Sequence, residues 1–203
     1  MIAGLTTAAG AFSAACSLAY WLWFGVRRAL APSGRSPAAA AAAALLKGAA
    51  VASLAVAARR RSPWLVLPLA CHAAGDVLLA FGGAGPPGFA TLAAFAAGHA
   101  LYARHWRGTG VARVLASAAG VAVAGLASPA LGMTAYTAVL LRAAFVAPCG
   151  LPRRAAVLFV AGDALVAIET VAAAAADLTW LSWPCYYAAQ LIVVRAHSRV
   201  SGQ

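Results

Sequence analysis

The sequence predicts an all-α protein, a polytopic transmembrane bundle of about eight helices, possible as two parallel four-helix repeats, within a single integral membrane domain over residues 1–203. Three observations predict it. Hydrophobic residues make up 64% of the chain and charged residues 9%, against about 45–50% and 25% in a soluble domain. A chain of 203 residues folded in water has no interior large enough for that much apolar side chain, so lipid is its solvent. The apolar residues also fall in stretches close to the ~20 that cross a ~30 Å hydrocarbon core, and Gly, Pro and Arg clusters separate them.

The first stretch, 5–26, ends at Arg27-Arg28. It lacks a basic leading region and a small-residue cleavage site, so it reads as a retained helix and not as a signal peptide. The second, 38–58, follows Pro32-Ser33-Gly34 and stops at Arg59-Arg60-Arg61. The third, 63–81, runs into the glycine- and proline-rich segment 82–88. The fourth and fifth, 89–103 and 111–127, are short and flank the segment from Arg104 to Gly110. Ser128-Pro129 precedes the sixth, 130–147, and Pro148 to Arg154 separate it from the seventh, 155–176. Asp177 then leads to the eighth, 179–194.

With eight spans, eleven arginines fall on one side: Arg59, Arg60, Arg61, Arg104, Arg107, Arg113, Arg142, Arg153, Arg154, Arg195 and Arg199. Arg27, Arg28 and Arg35 fall on the other. That asymmetry places both termini in the cytoplasm. The net charge of +11 does not point to nucleic acid, because the arginines cluster at span ends and no aromatic-basic motif accompanies them. Heavy alanine usage suits a GC-rich bacterial genome and its cell membrane; in a eukaryote the endoplasmic reticulum would be expected. The cysteines, Cys16, Cys71, Cys149 and Cys185, show neither zinc spacing nor a disulfide framework and read as small buried apolar residues.

Polar residues inside apolar spans carry the functional signal, since a charge at mid-membrane costs about 2.5–3.5 kcal/mol on insertion scales. They are Lys47 in the second span, Asp76 in the third, His99 in the fourth, Asp163 and Glu169 in the seventh, and Gln190 in the eighth. His72 stands four residues before Asp76, which puts both on one helix face. Tyr102 shares a face with His99, as Tyr186 and Tyr187 do with Gln190. No metal and no other cofactor is expected, because these residues lack a ligand set of metal-binding spacing.

The run Ala74-Gly75-Asp76-Val77-Leu78-Leu79-Ala80 resembles Ala161-Gly162-Asp163-Ala164-Leu165-Val166-Ala167, four spans later. A weaker echo pairs Ala97-Gly98-His99-Ala100-Leu101 with Ala188-Ala189-Gln190-Leu191-Ile192. A duplicated four-helix unit keeps its orientation, so the two aspartates would sit on helices running the same way. From the span edges, Asp76 lies about 20 Å and Asp163 about 12 Å from the cytoplasmic ends. Two carboxyls in one low-dielectric site divide into an acid and a carboxylate. In the structural alternative, each aspartate simply pairs with Lys47 or an arginine inside the bundle.

The motifs also resemble those of a known family. Leu158-Phe159-Val160-Ala161-Gly162-Asp163-Ala164-Leu165-Val166-Ala167 with Glu169-Thr170 is similar to the seventh-helix signature of the YhhN family, the lysoplasmalogenases. Tyr186-Tyr187-Ala188-Ala189-Gln190-Leu191-Ile192 resembles its closing motif and is the most specific match. Gly75-Asp76, His99-Ala100-Leu101-Tyr102 and Lys47 resemble its third-, fourth- and second-helix features. Gly162 stands where the family usually has serine, Gly48 where proline is frequent, and His72 where small residues are usual. The resemblance implies hydrolysis of the vinyl-ether bond of a lysoplasmalogen drawn from the bilayer, releasing a fatty aldehyde and a glycerophospho-ethanolamine or -choline. It implies Asp76 and Asp163 as the acid–base pair, with Lys47, His72, His99, Tyr102, Glu169, Tyr186, Tyr187 and Gln190 supporting the pair or the substrate. Two other classes stay open on the residues alone: a proton-coupled transporter, which membrane aspartates in parallel repeats fit equally well, and a lipid-binding protein without activity.

Overall fold

The computed structural model describes residues 2–26, 37–59, 62–81, 86–107, 110–171 and 178–198. Among them the structure is all-helical. Helix α1 (Ile2–Tyr20) passes directly into a π-helical segment, Trp21–Val26. Then come α2 (Pro37–Ala58), a 3₁₀ turn (Pro63–Leu65), α3 (Val66–Phe81), α4 (Pro86–Arg107), α5 (Val111–Ala127), α6 (Pro129–Val146), α7 (Leu151–Val171) and α8 (Thr179–Ser198). Alanine, the best helix former, and leucine fill most helical positions. Proline opens α2, α4 and α6, where its missing N–H is no loss. Ser128, in extended conformation (φ −165°, ψ 136°), both ends α5 and begins the turn into α6, so one residue separates the two helices. Gly150, at φ 96°, makes the reversal before α7, a left-handed conformation that suits a residue without Cβ.

Three elements extend beyond their expected bounds. Helix α4 includes Pro86-Pro87 and continues through Arg104 to Arg107, all expected in loops. Helix α8 continues to Ser198, and α7 begins at Leu151, within a segment read as loop. The reason is common to them: arginine and proline interrupt an apolar stretch, but arginine is a good helix former and proline fits the first turn, so the backbone hydrogen bonding runs on past the apolar residues. With the new bounds Asp76 lies ten residues into α3 and Asp163 twelve into α7, about 15 and 18 Å at 1.5 Å per residue. The two acids are therefore closer in depth than the apolar stretches alone indicate.

Consecutive helices pack side by side, with α6 and α7 the least closely joined pair. Helix α4 lies centrally against α3, α5 and α6, and α8 packs on α7, α2 and the π segment. One end of the bundle is fixed by Trp64, whose ring stacks on His105 at 3.5 Å and meets His197 edge-on at 4.7 Å. This is the arginine-rich end, and Arg59, Arg104, Arg107, Arg113, Arg142, Arg153, Arg154 and Arg195 are all exposed. Arg27, Arg28, Arg35, Arg60, Arg61 and Arg199, as well as Asp177, lie outside the described residues.

Proline also shapes α8. Pro184 has no N–H for the carbonyl of Trp180 one turn back. That carbonyl instead accepts the indole N–H of Trp21 at 2.8 Å, which ties the π segment to α8.

The core is apolar, but the outer surface is apolar too, and polar groups are buried inside. Large apolar side chains stand exposed on seven of the eight helices, among them Leu45, Leu115, Leu126 and Phe145, whereas His72, Asp76, His99 and Gln190 are buried. By length and composition two described helices, Pro37–Ala58 and Pro129–Val146, are long and apolar enough to cross a membrane. Cys16 is buried and Cys71 and Cys185 half-buried, but Cys149 is exposed beside Gly150, so the burial expected of all four fails at that turn.

Candidate functional site

Lys47 on α2 and Asp76 on α3 meet inside the bundle, Nζ to Oδ1 at 3.4 Å, with side chains 12% and 2% exposed. Their helices come close because Gly48, next to the lysine, leaves room for Val77, next to the aspartate. The Tyr186 hydroxyl of α8 donates to the other Asp76 oxygen, Oδ2, at 2.9 Å. The lysine ammonium also sits over two aromatic rings, Tyr20 of α1 at 5.3 Å and Trp183 of α8 at 5.0 Å. Cation–π attraction of this kind strengthens where water is excluded. Asp76 thus has a cation and a phenol as partners, which supplies the compensation a buried charge requires.

Asp163 on α7 faces the same space from the other side and accepts a short hydrogen bond at Oδ2 from the Tyr136 hydroxyl of α6. The Tyr136 oxygen lies 3.3 Å from His99 Nε2 on α4. A phenol has one proton, and here it goes to the carboxyl. The histidine therefore supplies the proton of the second bond, as the Nε2–H tautomer.

Between the two carboxyls lies a cavity of about 250 Å³. Lys47, Asp76, Tyr136, Asp163 and Tyr186 are among its polar lining, and side chains such as Leu79, Leu92, Phe95, Met133, Leu140 and Val160 form apolar walls. Several lining residues stand within about two turns of the arginine-poor helix ends, such as Leu79 on α3, Thr91 on α4, Met133 on α6 and Ser182 on α8.

Of the residues singled out in the sequence, Lys47, Asp76, Asp163 and Tyr186 come together around this cavity. His99 touches it through Tyr136. Tyr102 and Gln190 form a buried pair behind it, phenol to Oε1 at 2.7 Å. Tyr187 points the other way and bonds Ser13 of α1 at 2.7 Å. His72 does not line the cavity despite its spacing from Asp76. Its ring stacks on Phe159 at 5.5 Å and presses against Gly98, where an added Cβ would lie 2.6 Å from Nε2. Both His72 nitrogens are buried without a hydrogen-bond partner among the described residues, so its visible role is packing between α3, α4 and α7. The Glu169 side chain lies outside the described residues. Among the described residues, no three His, Cys, Asp or Glu side chains gather as a metal-binding group.

Sequence reasoning passed over Tyr136, Tyr20 and Trp183. Tyr136 carried a usable signal: a tyrosine at the centre of an apolar span, away from the interface belts where this residue usually sits.

The family model described as "YhhN family" matches residues 34–197, which span every helix contributing a side chain to the cavity wall. The chain belongs to the YhhN family. Comparisons with curated proteins and with solved structures give no match. Within the YhhN match, Gly162, the departure from serine, has a local explanation. A Cβ there would come 3.3 Å from the Ser182 carbonyl oxygen, so α7 and α8 cross closely beside Asp163.

Proposed function

We propose that this YhhN-family chain is a membrane-embedded hydrolase of the lysoplasmalogenase type, cleaving a vinyl ether with Asp163 as acid and Asp76 as base. The observation that carries the reading is the difference between two carboxyls that share one largely apolar cavity. Asp76 is paired with the Lys47 ammonium and is the carboxylate. Asp163 has the neutral Tyr136 phenol as its partner where Asp76 has a cation, and the proton is assigned to it on that contrast.

An enol ether reacts by protonation at its β-carbon, which moves positive charge onto the ether carbon and oxygen. Asp163 gives that proton, and the Asp76 carboxylate takes one from the water that adds to the cation. In the collapse of the hemiacetal the roles reverse: Asp76 returns a proton to the departing glycerol oxygen while Asp163 accepts the hydroxyl proton. Aldehyde and alcohol leave, and both carboxyls are back in their starting states. Each transfer is general acid–base catalysis of a kind worth about 10²–10⁴-fold.

The test is aldehyde release by the purified protein in detergent, with a lysoplasmalogen set against its saturated-ether analogue. Aldehyde from the first and none from the second is expected, unchanged after chelation and dialysis. Activity lost on chelation and restored by zinc would overturn the two-carboxylate scheme. No aldehyde from folded protein would overturn the hydrolase reading and favour lipid binding or proton-coupled transport.

The same proposal places all eight helices across a membrane. Its support is the exposed apolar surface of seven helices around a buried polar centre, together with the eleven-to-three arginine division. Reporter fusions should find both termini in the cytoplasm; an external residue-203 end, or an odd number of crossings, would refute the topology.

A further inference from the structure

We propose that the cleft between α6 and α7 is the doorway by which a single-chain amphiphile reaches the carboxyls sideways out of the bilayer; this rests on the reading above and names the route and shape of its substrate. The two helices follow one another in the chain, yet they are the least closely packed of all consecutive pairs. Along this seam the wall of the cavity and the outer surface of the bundle are the same side chains. Leu141 of α6 is 50% exposed and Val166 of α7 is 36% exposed, and both line the cavity. Thr137 and Ala164, one on each helix, are likewise exposed lining residues. The Thr137 hydroxyl is satisfied by the Met133 carbonyl of its own helix at 2.9 Å, leaving its methyl as the surface it offers a hydrocarbon chain. By contrast the lining residues Thr91 of α4 and Ser182 and Trp183 of α8 are buried.

The seam is held at one end and near its middle. At the arginine-rich end Arg153 of α7 donates through Nε at 2.9 Å and Nη2 at 2.8 Å to the Ala147 carbonyl at the end of α6. Deeper in the bundle the tie is Tyr136 to Asp163. Beyond it, toward the arginine-poor end, the cavity continues to Leu79, which is 42% exposed. A molecule with one chain can lay that chain in the seam, present its ether bond to Asp163 and Asp76, and leave its headgroup toward the arginine-poor end. The side chains of the seam match hydrocarbon, and the polar groups stand where the chain must stop.

Access can be read separately from turnover with a saturated-ether lysophospholipid carrying a diazirine in its chain, which has no vinyl ether to hydrolyse. Photolysis with the full-length protein, followed by peptide mass spectrometry, should place the label on α6 and α7 near positions 137, 141, 164 and 166. Unlabelled lysophospholipid should displace it, and a diacyl phospholipid should not. Thr137→Trp and Val166→Trp should each lose most of the label, while Leu115→Trp and Leu126→Trp on exposed α5 should keep it. Label concentrated on other helices, or retained by both seam variants, would overturn the doorway. The wild-type map decides the matter even where a tryptophan variant fails to fold. Correct labelling with no aldehyde release would leave the doorway standing and sink the hydrolase reading instead.

Discussion

Asp76→Asn, Asp163→Asn and the double variant are expected to lose vinyl-ether hydrolysis to nearly the same extent, each by roughly 10²–10⁴-fold. In the proposed cycle each of the two steps needs one carboxyl to give a proton and the other to take one, so a single asparagine stops the cycle for both. Residues that work as a unit are non-additive, and the second substitution should therefore cost little more than the first. Asparagine keeps the size of the side chain and can still accept from Tyr186 or Tyr136. Melting in detergent should confirm that each variant remains folded. A folded single variant with near wild-type turnover would make that aspartate structural and dissolve the pair.

The second large effect concerns Lys47. Lys47→Met leaves Asp76 buried without its cation, and breaking a buried pair in this way typically costs about 3–5 kcal/mol. Against a total stability of roughly 5–15 kcal/mol such a loss is conspicuous in a melting curve. Combining Lys47→Met with Asp76→Asn removes both charges and should recover most of the stability without recovering activity. The Tyr186 phenol still bonds position 76 in either background, so the recovery reads the charge and not a lost hydrogen bond. Equal melting of Lys47→Met and wild type would show that the 3.4 Å contact contributes little to the fold.

Much of this architecture is legible from composition and punctuation. Eight apolar stretches correspond to eight helices because a helix satisfies its own backbone wherever water is scarce. Lys47, Asp76 and Asp163 stand out for the same reason, as charges in places where charge is expensive. What remains hidden depends on neighbours that no spacing reports. Tyr136 gains its meaning from Asp163 on the next helix and His99 on another. Tyr20 and Trp183 look like ordinary aromatic residues until Lys47 is placed between them. His72 shows the converse: the spacing that sets it on one side of α3 with Asp76 is real, but one turn moves it from the cavity into the aromatic packing around Phe159.

The stitching of α1 onto α8 has a consequence for where this protein's cooperative unit begins. The family match starts at residue 34, after α1 and its π segment have ended. Nonetheless Ser13 bonds both Ala50 and Tyr187, Ser17 receives the Trp183 indole, and Trp21 occupies the carbonyl that Pro184 leaves open. Tyr20, at the end of the same helix, covers the ammonium of Lys47. The first helix is therefore hydrogen-bonded into the same packed unit as the helices of the family match. The frontier drawn by shared ancestry and the frontier drawn by energy run through different places, and the lysine on the cavity wall depends on the second.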